Sequence, residues 1–241
     1  NRLSRRYKAG EVKIHGYLED YAFLARGSFD TYQATGEVQW LGFALDLARA
    51  IEREFWDEGR ETLYFTPEAG EDLVARPQEL GDQSTPSSLG VACDALLSLS
   101  HFADTDFEGI VEAVLSRYGD RVRGNPLEHA TLALVADRFE NGSLELTVAA
   151  EELPEEWRER LGGTYLPNRI LARRPPTEEG LQEWLDELGL EEAPPIWADR
   201  EAREGEPTAY VCRSFTCSPP VTDVEEAIEW VGNLDPASTE T

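Results

Sequence analysis

Two incompatible hydrophobic periods divide this chain. Apolar residues recur every three or four positions as far as Arg138, and every second position directly after Asn141-Gly142. Side chains three or four apart share one face of a helix, whereas alternate side chains share one face of a strand. The sequence therefore predicts a mainly α fold, with a helical-hairpin portion over residues 1–140 and a small α/β module over residues 141–241.

Within the first part, helices are expected from Gly16 to Thr35 and from Trp40 to Trp56. In the second of these Leu41, Ala44, Leu45, Ala48, Ile51 and Phe55 form one continuous face. Gly36 ends the first helix and leaves a short antiparallel connection. Leu63-Tyr64-Phe65 and Leu73-Val74, separated by Pro67 and Gly70, read as a short β-hairpin in a long loop. Ser84-Thr85-Pro86 reads as an N-cap followed by proline at the first helical position, opening a helix with Leu89, Ala92, Cys93, Leu96 and Leu99 inward. Further helices are expected over Asp106 to Tyr118 and Pro126 to Arg138.

In the second part Leu144, Leu146 and Val148 alternate with Glu145 and Thr147. A helix from Glu152 to Leu161, a strand from Arg169 to Arg173, a helix carrying Leu181, Trp184, Leu185 and Leu188, and a strand from Thr208 to Arg213 follow. That order predicts a parallel α/β unit with right-handed crossovers. Glu191 to Glu206 is charged and proline-containing and reads as an exposed loop. Thr222 with Glu225 reads as a capping box for a last helix through Gly232, and Asp235 to Thr241 as a fraying tail.

Charge narrows the function. Twenty-two basic residues face 48 acidic ones, a net charge of -26, and lysine occurs only at Lys8 and Lys13. Such a field repels nucleic acid and anionic lipid, so neither is an expected partner. The carboxylate excess, with arginine largely replacing lysine, fits an acidic protein of a high-salt cytosol. No apolar run has the length of a membrane span, and NRLSRRYKAG lacks a signal core, so a cytoplasmic protein is expected. Three unevenly placed cysteines make no disulfide framework. A chain without methionine reads as an excised piece of a longer protein.

Three stretches, in this order, carry a resemblance: HGYLEDYAFL from His15, LVARPQELGDQSTPSS from Leu73, and TAYVCRSFTCSPPVTD from Thr208. Together they resemble the corresponding parts of YyaL / spermatogenesis-associated-type proteins, over nearly the whole chain. The resemblance implies part of an (α/α)6 toroid, similar to N-acylglucosamine 2-epimerases and six-hairpin glycosidases, with the α/β unit as a C-terminal elaboration. It also implies an N-terminal thioredoxin-like domain and further barrel helices as partners, neither in this chain. Ser88-Leu89 stands where relatives show Gly-Asn, so a ligand contact made by that asparagine would be lost here.

In such a toroid the marked segments open onto one mouth. The resemblance thus implies a shared rim for His15, Glu19, Asp20, Tyr21, Arg76, Asp82, Ser84 and Ser87, a set suited to a sugar-like ligand. Asp20 and Asp82 suit acid/base chemistry if burial raises one of them. The alternative is that Glu19 and Asp20 serve a helix dipole while Ser84 and Thr85 cap the next helix. Cys212 and Cys217, five apart, are not a Cys-x-x-Cys motif and read as a structural pair, with a redox pair serving a thioredoxin-like domain as the alternative. Two thiolates cannot complete a zinc tetrahedron and His15, His101 and His129 lie far upstream on expected helices, so no metal is expected. Ala149-Ala150-Glu151-Glu152 offers no phosphate cradle, and no cofactor is expected. Two functions stand: a carbohydrate- or polyol-processing barrel, or a non-catalytic scaffold that packs on and presents a thioredoxin-like domain. A part-barrel exposes apolar edges, which also predicts a tendency to dimerise.

Overall fold

The computed structural model describes residues 2–68, 75–166, 168–213 and 216–234. It divides into two units, Asn1–Phe29 with Trp40–Glu140, and Asp30–Gln39 with Asn141–Thr241. The described residues are mainly helical, with a small sheet in the second unit.

The first unit opens with an antiparallel hairpin, β1 (Ser4–Lys8) and β2 (Glu11–His15). Ala9 and Gly10 both have positive φ, as a two-residue hairpin turn needs. Every residue of both strands is exposed, so no buried face imposed an alternating pattern that could have announced them. His15 accordingly lies on a strand rather than a helix. Helix α1 (Leu18–Thr35) ends at Gly36, and α2 (Val38–Phe55) buries the expected face. Strands β3 (Trp56–Asp57) and β4 (Thr62–Leu63) pair Trp56 with Leu63. Leu63 thus pairs back with the end of α2 across a shorter turn than the one expected, and Leu73-Val74 lie outside the described residues.

Helix α3 (Ser88–Leu99) is buried nearly all round, as its run of small and apolar residues, broken only by Asp94, requires. Its N-cap is Ser87, whose Oγ accepts from Gly90 N at 3.2 Å, not Ser84. The helix therefore begins two residues later than a first helical position at Pro86 would place it. Helix α4 (Phe107–Gly124), capped by Asp106, runs six residues beyond its expected end, and α5 (Ala130–Asn141) starts after a turn over Asn125–His129. Helix α3 packs on α4, and the rings of Phe29 and Phe102 meet edge-on at 5.7 Å. His129, expected on a helix surface, is buried with Nδ1 3.3 Å from Leu80 O.

In the second unit β5 (Leu144–Ala149), α6 (Glu155–Gly163), β6 (Arg169–Arg174), α7 (Glu178–Leu188), β7 (Thr208–Arg213), β8 (Thr216–Cys217) and α8 (Val224–Leu234) follow in order. The sheet order is β6-β5-β7-β8. Strands β5 and β6 are parallel, as expected, but β7 is antiparallel to β5, which corrects the all-parallel reading. The segment after α7 is the cause. It returns past the strands with Ile196 and Trp197 buried, Thr147 Oγ1 donating to Ile196 O at 2.7 Å and Arg174 Nη1 to Trp197 O at 2.7 Å. That path delivers Thr208 opposite Ala149, at the far end of β5. The stretch expected to be an exposed loop is therefore partly core.

Helices α6 and α8 close a cluster over Leu144, Leu146, Val148 and Val211, with Trp157 and Val231 from the helices. Asp223, not Thr222, caps α8: its Oδ1 accepts from Glu226 N at 3.0 Å. Asp30–Gln39 sits along the edge of β6. Gln33 Oε1 accepts from Leu171 N at 2.9 Å, Tyr32 OH donates to Arg173 O at 2.7 Å, and Arg173 Nε donates to Gly36 O at 2.8 Å. An open strand edge is thereby covered.

Candidate functional site

At the start of α1, Arg5 gathers the two carboxylates singled out in the sequence. Its Nη2 donates to Glu19 Oε1 at 2.5 Å, its Nε lies 3.2 Å from Asp20 Oδ2, and its guanidinium covers the Tyr17 ring at 4.5 Å. Asp20 Oδ2 also accepts from Tyr17 N at 2.8 Å, so Asp20 fastens the turn that begins the helix. Tyr21 is buried, its hydroxyl accepting from Leu3 N at 2.8 Å. His15 is exposed at the end of β2, in register with Ser4.

The second set of residues surrounds the start of α3. Asp82 Oδ1 accepts from Ser87 N and Oδ2 from Thr131 N, both at 2.8 Å. Burial pushes this carboxyl up, but the Thr131 and Ser87 hydrogen bonds outweigh it and hold Asp82 below the usual carboxylate range. The elevation that a general acid needs is thus not met at Asp82. Arg76 lies 4.3 Å over the Tyr64 ring and donates through Nη2 to Thr66 O at 2.6 Å. Ser84 is exposed beside a cavity of about 160 Å³ that Glu79, Gln83 and Ser87 also line.

Glu19 and Asp20 meet through Arg5, and Asp82 meets Ser87. The first set and the second each have their own partners, and Asp20 and Asp82 are not a hydrogen-bonded pair among the described contacts.

Two charged centres were not singled out in the sequence. Asp94, in the middle of apolar α3, takes Arg138 from α5 at 2.9 Å and Arg26 from α1. A single aspartate within SLGVACDALLSL was the signal for it. Glu54 is buried, with Arg2 at 2.8 Å and Arg53 at 3.0 Å. Burial pushes it up, but Arg53 and Arg2 pull it below the ordinary range.

In the second unit Cys212 and Cys217 form a disulfide directly across β7 and β8. Cys212 is 4% exposed whereas Cys217 is open to solvent. Arg200 Nη2 donates to Cys212 Sγ at 3.2 Å. Cys93 is a free, buried thiol, which burial pushes up. Among the described residues no group of His, Cys, Asp and Glu is arranged to hold a metal, and no helix is long and apolar enough to cross a membrane.

No family model matches the chain. Human spermatogenesis-associated protein 20 is 28% identical over 214 residues, covering 86% of this chain and 26% of that protein. The mouse protein of the same name is also 28% identical over the same shares. These matches bear out the resemblance to spermatogenesis-associated-type proteins over most of the chain. A Caenorhabditis elegans protein titled uncharacterized matches at 24% over 225 residues, with 91% of this chain and 29% of its own length covered. The chain thus spans about a quarter of the length of the curated relatives it matches.

Proposed function

We propose that the helical unit is a non-catalytic scaffold within a longer protein. In this reading α1–α5 are part of an (α/α)6 toroid completed by further helices, and the assembly presents a thioredoxin-like domain. One observation carries it: Glu19, Asp20, Tyr21, Arg76, Asp82 and Ser87, expected to receive a ligand, are engaged by the chain's own backbone and ion pairs, Asp82 through both oxygens and Tyr21 through its hydroxyl. Large apolar side chains meanwhile point outward, among them Phe23 and Leu24 on α1, Phe43 on α2 and Leu134 on α5. In this reading they form part of the surface that the rest of the longer protein covers. The length of the relatives is consistent with such a partner, since about three quarters of each lies outside the matched region.

The cavity beside Ser84 supports the carbohydrate reading. At about 160 Å³ it is smaller than pockets that enclose a whole small molecule, ~300 Å³ and up, and it suits at most part of a sugar. One experiment separates the two readings. The chain is mixed with the remainder of its full-length protein, supplied as a second polypeptide, and association is measured by light scattering with and without Phe43→Glu and Leu134→Glu. The scaffold reading expects association that weakens at least about tenfold in the double variant while the helical circular dichroism is kept. Undiminished association, or saturable monosaccharide binding to the isolated chain by NMR, would sink it in favour of the carbohydrate reading.

A further inference from the structure

Glu145, Cys212 and Cys217 lie opposite one another on β5, β7 and β8, a single row across the sheet. Arg200 reaches this row from the segment before β7, and its side chain is only 12% exposed. Its Nη2 is 3.2 Å from Cys212 Sγ and 3.7 Å from Glu145 Oε2, while Nη1 is buried without a hydrogen-bond partner. The guanidinium therefore lies closer to sulfur than to the carboxylate. A neutral disulfide sulfur is a poor acceptor for a buried cation, whereas a thiolate is a strong one.

We infer that the Cys212–Cys217 bridge is a reversible thiol–disulfide exchange site, entered at Cys217 and poised by Arg200 to release Cys212 as a thiolate. The substrate class is a thiol. A thiolate RS⁻ attacks the exposed Cys217 sulfur, the Cys212–Cys217 bond breaks as the new S–S bond forms, and the bond's electron pair leaves on Cys212. A second RS⁻ attacks the R sulfur of the mixed disulfide, releasing RSSR and leaving Cys217 as a thiolate. Two thiols are oxidised, the bridge gains two electrons, and the protons shed by the thiols are available to the two cysteines.

Direction follows from access. Cys212 is buried, so an attacking thiol reaches Cys217 first, and the leaving group is the sulfur beside the cation. The strand pairing survives exchange, because β7 and β8 are also joined by Ser218 N donating to Val211 O at 2.8 Å and by Val211 N donating to Ser218 Oγ at 3.1 Å. This inference concerns the second unit alone and does not rest on the scaffold reading.

The test treats the native, oxidised chain with glutathione and, separately, with dithiothreitol, then quenches with acid and maps adducts and free thiols by mass spectrometry. The expected result is reduction with the circular dichroism unchanged, and a single glutathione adduct on Cys217. Reduction by both reagents points to small thiols as the source, and reduction by dithiothreitol alone to a dithiol. A second measurement follows the pH dependence of Cys212 alkylation in the Cys217→Ser variant. Adding Arg200→Gln should move the midpoint up by about one pH unit, a tenfold loss of thiolate below it, and Arg200→Lys should restore most of the shift. If Arg200→Gln does not fold, the adduct map and the Arg200→Lys profile decide. A bridge that is reduced only when the chain unfolds, an adduct on Cys212, or a profile indifferent to Arg200 overturns the proposal.

Discussion

Asp82 shows how one side chain can look like a ligand group and serve the backbone. Its two carboxylate oxygens each accept an N–H, from Ser87 at the start of α3 and from Thr131 in the first turn of α5. A charged acceptor holds two helix starts together. Because its folded pKa lies below the ordinary value, this contribution is complete above the unfolded pKa, about 3.9, and is lost as pH falls through the lower folded value. Asp82→Asn replaces one acceptor with an N–H donor facing an N–H. We expect it to lower the unfolding free energy by about 1–2 kcal/mol at neutral pH, with the gap to the parent closing below about pH 4. Urea denaturation across a pH series reads this directly, and a gap independent of pH would contradict the assignment.

Among the elements, the segment between α7 and β7 decides the topology of the second unit. It has neither helix nor strand period, yet Trp197 is fully buried and meets Trp184 edge-on at 5.7 Å. Its carbonyl receives Arg174, a fully buried arginine whose guanidinium also reaches Pro175 O and Glu178. Removing the indole leaves a large void beside that buried charge. Trp197→Ala is therefore expected to destabilise the unit by about 3–5 kcal/mol. Its near-ultraviolet circular dichroism should collapse at lower urea than that of Trp230→Ala, whose indole is only partly buried. Equal effects of the two substitutions would remove Trp197 from this anchoring role.

At the scale of the whole molecule, a net charge of -26 sets the conditions under which the fold persists. Acidic residues outnumber basic ones 48 to 22, and the mutual repulsion of unpaired exposed carboxylates favours expansion at low ionic strength. At ~1 M salt the screening length falls to about 3 Å, so repulsion between exposed carboxylates largely vanishes. The thermal midpoint should rise steadily from low salt to ~1 M sodium chloride, a trend scanning calorimetry would measure. A flat or falling midpoint would mean that paired carboxylates such as Glu54 and Asp94 outweigh the repulsive ones.

Hydrophobic period and glycine placement were legible without a structure. Helices α1, α2 and α3, strands β5, β6 and β7, and the end of α1 at Gly36 all follow from local spacing, because burying one face constrains every third, fourth or second residue. The polar clusters were partly legible, since Glu19, Asp20, Asp82 and Ser87 do lie at helix starts. Their partners were not, because Arg5, Thr131 and the backbone of Leu3 are brought to them only by the fold. The exposed hairpin β1–β2 left no pattern to read, having no buried face. The antiparallel direction of β7 and the meeting of Arg200 with Cys212 belong to tertiary structure for the same reason. Each depends on where a non-periodic segment runs, and that path is chosen by which distant core accepts Ile196 and Trp197.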